Sequence, residues 1–356
     1  MDSEVSVLLH CAAWKGLRES QVQVELSERF NRQADPVLEC QIEKVWTERV
    51  SSEPWLFNGS KFRLHSFFLA SPTDEQDREL NGSKRPKEDL CARDSLPDRP
   101  VNQHTEDSGD EESGPLLTLK LGLTCYKDYL GTNWSCRAAE LCQLGEAKFG
   151  DRLALLAQPL GVGGILCTDD DRVVLIRRSM RVAEAGGLLD IPGGHPEPKV
   201  VCEHLGQEVH EEQISMDMMQ QQLVVSELFS SVCAEIRDEV NIPLSSLREP
   251  ILMGVALNHI SAGRPSAEFY VGCSLTSDQV RELYRKGGAE ANESTDIVFL
   301  SREEVLQLDG CSPVWSELCP SAKGAMLLYQ TVKPDGEHSQ NQGHNNHPIA
   351  AEDGPT

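Results

Sequence analysis

Apolar and polar positions recur along this chain with two periods, and the change from one to the other marks its elements. From Leu160 onward, short apolar runs broken by turn residues predict strands: GVGGILCT, a turn at Asp169–Asp171, then RVVLIRRS, a hairpin pattern. Ile251–Leu257, Ala267–Leu275 and Asp296–Leu300 read as further strands. Ser301–Leu308 opens a helix with a capping-box pair, Ser301 and Glu304, and Cys319–Val332 predicts a last helix. Between these lies Ser226–Ile242, SELFSSVCAEIRDEVNI, where Val225, Phe229, Val232 and Ile236 recur at helical spacing. Glu235, Asp238 and Glu239, at i, i+3 and i+4, share a neighbouring face of the same helix. A glycine-rich loop, IPGGHPEP at Ile191–Pro198, precedes it. Residues 199–221, acidic and rich in Met and Gln, read as an inserted loop.

The first part of the chain has its own pattern. Val5–Leu9 predicts a strand and Val37–Ser51 a helix, with Ile42, Trp46 and Val50 on one face; a turn at Asn58-Gly59 leads to a strand over Phe62–Ala70. Ser71–Gly114 is rich in Asp, Glu, Ser and Pro and poor in large apolar residues, so it is expected to be disordered. Pro115–Leu123 follows as a strand. The two flanking strands predict a hairpin with a greatly expanded loop, since closure entropy grows slowly with length; an acidic interaction tail is the alternative. Thr124–Ser135 gathers Tyr126, Tyr129, Asn133 and Trp134, and a helix is expected over Cys136–Leu144. Lys333–Thr356 reads as a disordered polar tail. The pattern divides the chain into an N-terminal α+β domain, residues 1–150, and an α/β domain, residues 151–332.

Charge narrows the chemistry. Across 356 residues the formal net charge is −24, which argues against nucleic acid or an anionic membrane as a partner. Twelve cysteines without a C-x-x-C pair point to reduced thiols rather than zinc or a disulfide framework. The start lacks a basic n-region and no apolar run is long enough to span a bilayer, so a soluble cytosolic or nuclear protein is expected. Three carboxylates crowded on one helix face repel one another unless a cation sits among them; the bland alternative is a solvated acidic face.

With the glycine loop and the acidic helix in this order, the region resembles the Nudix hydrolases, whose box reads G-x5-E-x7-R-E-U-x-E-E-x-G-U with U aliphatic. Gly194 matches the opening glycine, Glu235 the glutamate after the arginine, Asp238 and Glu239 the paired acids, and Ile236 and Ile242 the aliphatics. Three positions depart: Val200 stands for the first glutamate, Ala234 for the arginine, and Asn241 for the terminal glycine, with the two halves spread apart by the insert. The blocks PWLF…KFRLHS, LGLTCYKDYLGTNWS, PGGHPEP, ELFSSV, SAGRPSAEFYV and ELCPSAKGA are similar to a divergent animal branch of the family that acts on UDP-glucose and UDP-galactose.

The resemblance implies a Nudix α/β/α sandwich with a mixed sheet, and Mg2+-dependent cleavage of a nucleotide sugar's pyrophosphate bond into UMP and a sugar 1-phosphate. It implies Glu235 and Glu239 as metal ligands, one helical turn apart, with Asp238 in support of catalysis. His195 and Glu197 of the loop are expected near phosphate or sugar, Arg178 rather than Arg177 near phosphate or base, and Phe57 and Tyr126 against the base. Asp190 and Ser321 complete the expected substrate contacts. Glu235, Glu268 and Glu293 all remain open as general base. Val200 and Ala234 also leave open a non-catalytic, nucleotide-binding scaffold, or a hydrolase of another nucleoside diphosphate derivative.

Overall fold

The computed structural model describes residues 2–71, 116–182, 184–290 and 292–336. Most of Ser71–Gly114 and most of the tail therefore lie outside the described residues. In chain order the elements are β1 (Val5–His10), β2 (Val22–Leu26), α1 (Pro36–Ser52), β3 (Ser60–Leu69), β4 (Leu117–Cys125), α2 (Tyr126–Gly131), α3 (Ala138–Phe149), β5 (Gly161–Cys167) and β6 (Arg172–Arg178). Then follow β7 (Leu189–Asp190), β8 (Gly193–Gly194), α4 (Pro198–His204), α5 (Gln221–Val240), β9 (Ile251–Asn258), β10 (Arg264–Gly272), α6 (Ser277–Lys286), β11 (Ser294–Ser301), α7 (Arg302–Gln307) and α8 (Pro320–Val332).

The strands form two sheets. The larger runs β1-β9-β10-β5-β6-β11, with β7 on β6 and β8 on β5; the smaller runs β2-β4-β3. Both are mixed: β10 pairs β5 in parallel and β9 antiparallel, while β4 pairs β2 in parallel and β3 antiparallel. The expected α/β class with a mixed sheet is what the chain adopts. One boundary moves. Residues 5–10, assigned by sequence to the N-terminal domain, form β1 and pair with β9 on the edge of the large sheet. Strand periodicity reports which face is apolar, not which sheet accepts the strand.

Helix α5 lies between the two sheets, against β5 and β8 on one side and β2 on the other. Its stripe of Val225, Phe229, Val232 and Ile236 is at most 3% exposed, and Val224 and Leu228 are buried with it. At about 1.5–3 kcal/mol for each such side chain, this burial fixes the helix axis. A single apolar cluster runs from Val22, Val24 and Leu119 of the small sheet through α5 to Leu166 and Val174 of the large one. A second cluster seats α8 on the opposite face, around Ile165, Met253 and Met326.

Local rules account for the helix ends. Asp35 caps α1 by accepting from Val37 N and Leu38 N, with Pro36 at the first position. Ser301 and Glu304 make the expected reciprocal box at α7. The expected insert at 199–221 is partly regular: Pro198 starts α4, and α5 begins at Gln221, earlier than its apolar stripe suggested. Two other helices, α2 within the aromatic segment and α6, were not marked by apolar spacing.

Arg63 of β3 is 2% exposed, yet among the described residues no carboxylate pairs with it. Its guanidinium donates instead to three carbonyls: Nε to Leu156 O (3.1 Å), one terminal nitrogen to Phe30 O (2.8 Å) and the other to Leu153 O (2.8 Å). Burial lowers its pKa to about 10. The three bonds join β3 to the segment before α1 and to the one entering β5.

Candidate active site

The acidic face of α5 is held against the glycine loop by backbone geometry. Gly193 N donates to Glu239 Oε2 at 2.9 Å, and Gly194 passes so close that a Cβ there would overlap the Glu235 carboxylate. This is why the loop carries glycine: any side chain at 194 would displace an acid. The helix ends at Asn241, which adopts a left-handed conformation (φ +64°, ψ 33°) and donates from its side-chain amide to Leu283 O at 2.8 Å. Asparagine thus occupies the box's glycine position in the conformation that position requires.

A second segment brings more carboxylates to Glu239. Glu290 N donates to Asp238 O and Glu293 O accepts from Ser179 N, which ties this segment to α5 and to the end of β6. Glu239, Glu290 and Glu293 each place a carboxylate oxygen within 4.8 Å of the others. Glu235 stands beside that group. Burial raises its pKa to about 7, and the charges of Glu290, Glu293 and Asp238 add to the rise. Glu239, buried and facing Glu235, is pushed well above the usual carboxylate range. Hard oxygen donors this close, one buried on Glu239 and two open to solvent on Glu290 and Glu293, fit a divalent cation such as Mg2+.

The remaining expected residues divide. Asp190 accepts from Arg178 at 2.9 Å, and Arg178 Nε also donates to Glu184 O; the charge of Glu239 bears on Arg178 as well. Arg177 points elsewhere, to Gly187 O and Glu317. His195 is kept neutral by burial and by the charges of Lys61 and Arg264. Glu197 pairs with Lys61 at 3.2 Å. Asp190, Arg178, His195 and Glu197, with Glu235 and Glu239, gather around the loop. Asp238 does not join the ligand group: its carboxylate is taken by Arg237, at 2.7 and 2.6 Å. Ser321 sits in the first turn of α8, two residues after Cys319, whose amide bonds Leu189 O.

The aromatic candidates lie in the N-terminal part. Phe57 is 69% exposed, its ring against Gly59. Tyr126 stacks on Tyr129 and meets Trp46 edge-on. Tyr129 connects this cluster to the site: its hydroxyl donates to Glu184 at 2.5 Å and Arg264 lies over its ring.

Of the three base candidates, Glu268 is 0% exposed, and neither of its oxygens has a hydrogen-bond partner among the described residues. Burial raises it to about 8. Glu293 belongs to the ligand group, whereas Glu235 is only half-buried.

Several site residues escaped the sequence reading. Glu290 and Lys61 lie in stretches with no spacing signal. Glu227 is buried on α5, accepts Glu197 N at 2.9 Å and is raised by burial to about 7. Its place beside Leu228 on the apolar side of the helix was the available signal.

No protein-family model matches the chain. Curated relatives do. Uridine diphosphate glucose pyrophosphatase NUDT22 of Bos taurus is 47% identical over 333 residues, 94% of this chain and 99% of that protein. The Homo sapiens protein of the same name is 46% identical over 94% of both chains, and Nudix hydrolase 9 of Arabidopsis thaliana is 30% identical over 87% of both. Among solved structures, the MutT protein from Methanosarcina mazei Go1 is 13% identical, with a TM-score of 0.29 over 50% of this chain and 95% of that one. The sequence relatives set aside the non-catalytic scaffold: the chain belongs to the Nudix hydrolases and is an enzyme of that family.

Proposed function

We propose that the chain hydrolyses the pyrophosphate bond of UDP-sugars, UDP-glucose and UDP-galactose among them, to UMP and a sugar 1-phosphate, with Mg2+ as cofactor. The observation that carries the reading is the convergence of Glu239, Glu290 and Glu293 behind the glycine loop, in a chain whose 46–47% identical relatives are named UDP-glucose pyrophosphatases.

Glu239, Glu290 and Glu293 would hold the cation. Bound Mg2+ neutralises phosphate charge and lowers the pKa of an attacking water. The chain's own residues supply the rest. Gly193 N–H fixes one oxygen of Glu239. Glu235, half-buried and next to Gly194, keeps the access to water that fully enclosed Glu268 lacks; it is the residue placed to take the water's proton. Arg178 is oriented by Asp190 and offers positive charge beside Glu239. Glu197 and Ser321 are assigned to the sugar end. Phe57 and Tyr126 are assigned to the uracil, where stacking on an aromatic ring is worth roughly 1–3 kcal/mol.

The test is direct. Full-length protein incubated with UDP-glucose and Mg2+ is expected to release UMP, and Glu239→Gln to lose that turnover. Preferential turnover of ADP-ribose or of a coenzyme A ester would sink the substrate assignment while leaving a hydrolase.

A further inference from the structure

We propose that Lys61 of the small sheet and Arg264 of the large sheet form an anion subsite beside the glycine loop and His195, and that it takes the substrate's diphosphate. The proposal rests on the pyrophosphatase reading above and adds residues from outside the box to it.

The need for such a subsite follows from the charges. Glu197, Glu227, Glu235, Glu239, Glu290 and Glu293 all line or adjoin the glycine loop, so a diphosphate approaching it meets concentrated negative charge. A cation among Glu239, Glu290 and Glu293 offsets one side of the diphosphate only. Positive groups are needed on the other, and the structure provides two.

Lys61 is the second residue of β3. The strand's start is fixed because Ser60 gives both its N–H (2.8 Å) and its hydroxyl (2.6 Å) to Glu211. From there the Lys61 ammonium reaches the glycine loop and rests on Glu197, which is 44% exposed. Arg264, the first residue of β10, rests on Glu184 at 3.5 Å and over the Tyr129 ring at 5.5 Å. Strong charge-assisted bonds run at about 2.7–2.9 Å, as Arg178 makes with Asp190. The 3.2 and 3.5 Å contacts of Lys61 and Arg264 are longer, and each is to one carboxylate on a loop. Both cations are held near the site without being used up.

His195 ties them together. Lys61 rests on Glu197, two residues further along the loop. Arg264 begins β10 two residues before Ser266, which pairs with Gly161 of β5 next to the Val162–Gly194 pairing. Strands from both sheets thus carry a cation to the loop, and the charges of both also bear on the His195 ring. A neutral imidazole there has one N–H to donate. That is a receptor for phosphate oxygens, and it needs both sheets: the small sheet brings Lys61 and the large sheet brings Arg264.

The experiment uses the full chain with UDP-glucose and Mg2+, and binding of uridine, which has no phosphate, as a reference. Lys61→Met is expected to raise KM about tenfold or more with a smaller change in kcat, while Lys61→Arg stays within about threefold of the unmodified protein. Uridine affinity is expected to be equal in all variants. Glu184→Gln, which frees Arg264 from its carboxylate, is expected to leave KM unchanged or lower it. Two outcomes overturn the subsite: an unchanged KM in Lys61→Met, or a parallel loss of uridine and UDP-glucose binding, which marks a structural role. If the unmodified protein does not turn over UDP-glucose, the pyrophosphatase reading fails separately. The subsite is then read from binding of inorganic pyrophosphate with Mg2+: weaker binding in Lys61→Met upholds it and equal binding overturns it.

Discussion

Two places in this molecule bury charge, and they do so in opposite ways. Around Arg63 a lone cation is enclosed by three backbone carbonyls that point at it, and the chain's own groups satisfy it. Around Glu239 several carboxylates converge, and their mutual repulsion and burial hold Glu235 and Glu239 above the normal range. The first arrangement is complete and costs stability when broken. The second keeps like charges together, and a bound cation of the kind proposed above would relieve their repulsion. Of the converging carboxylates only Glu239 is buried, while Glu290 and Glu293 are open to solvent, so the group lies open to a ligand in a way that the enclosed Arg63 does not.

That contrast can be attacked from both ends. The largest expected effect is on stability: Arg63→Met takes the donor from Phe30 O and Leu156 O, while Leu153 O keeps Leu156 N, and should cost about 3–5 kcal/mol by urea denaturation. Stabilisation by added Mg2+ should persist in the variant. Glu239→Gln should do the reverse. The amide oxygen can still accept from Gly193, so the fold holds, and without Mg2+ the melting temperature should stay level or rise as one repelling charge is lost. Turnover of UDP-glucose should fall about 10²–10³-fold or more, and Mg2+ should no longer raise the melting temperature. A large loss of stability in Glu239→Gln would erase the distinction between the two regions.

Glu227 tests an intermediate case, a buried carboxylate away from the ligand group. Its folded pKa, raised by burial to about 7, exceeds its unfolded value, so the folded state holds the extra proton between roughly pH 4.5 and 7. Its contribution is therefore present at low pH and is lost as pH rises through about 7. Glu227→Gln keeps an acceptor for Glu197 N and should flatten that decline, gaining about 1–3 kcal/mol at pH 8 relative to the unmodified protein and little at pH 4. The smallest effect belongs to Asn241. Asn241→Gly should change stability by no more than about 0.5 kcal/mol and Asn241→Ala should cost about 1 kcal/mol, since alanine resists φ +64°. Neither should alter the Mg2+ response.

Much of this was legible from residue order. The strand runs, the stripe of α5 and its acid face all rest on local periodicity, and local periodicity is what the sequence records. The small cues for α4 and α6 were also present: Pro198 at a helix start, and Thr276 with Gln279 as a capping box. Others had no local trace. Nothing near Val5 says that β1 will pair with β9, a partner far along the chain. Glu290 reaches Glu239 only because its amide bonds Asp238 O, a contact between segments that share no pattern. Lys61 looks like an ordinary strand-start lysine until the small sheet is docked on α5. The box, by contrast, could be traced through its altered positions, because glycine at 194 and a left-handed residue at 241 are demands of backbone geometry.

The pairing of Leu69 with Leu117 has a consequence for the continuity of the chain itself. The polypeptide leaves the small sheet and returns to it at neighbouring points, so the strand pairings on either side do not depend on the chain being continuous between them. A nick between residues 72 and 114 would yield two fragments that still share both sheets, β1 on β9 and β2 and β3 on either side of β4. Such a split protein should remain one folded body. The same interval should accept a foreign domain whose own termini lie close together, making it a natural seam for a reporter or for new ends of the chain.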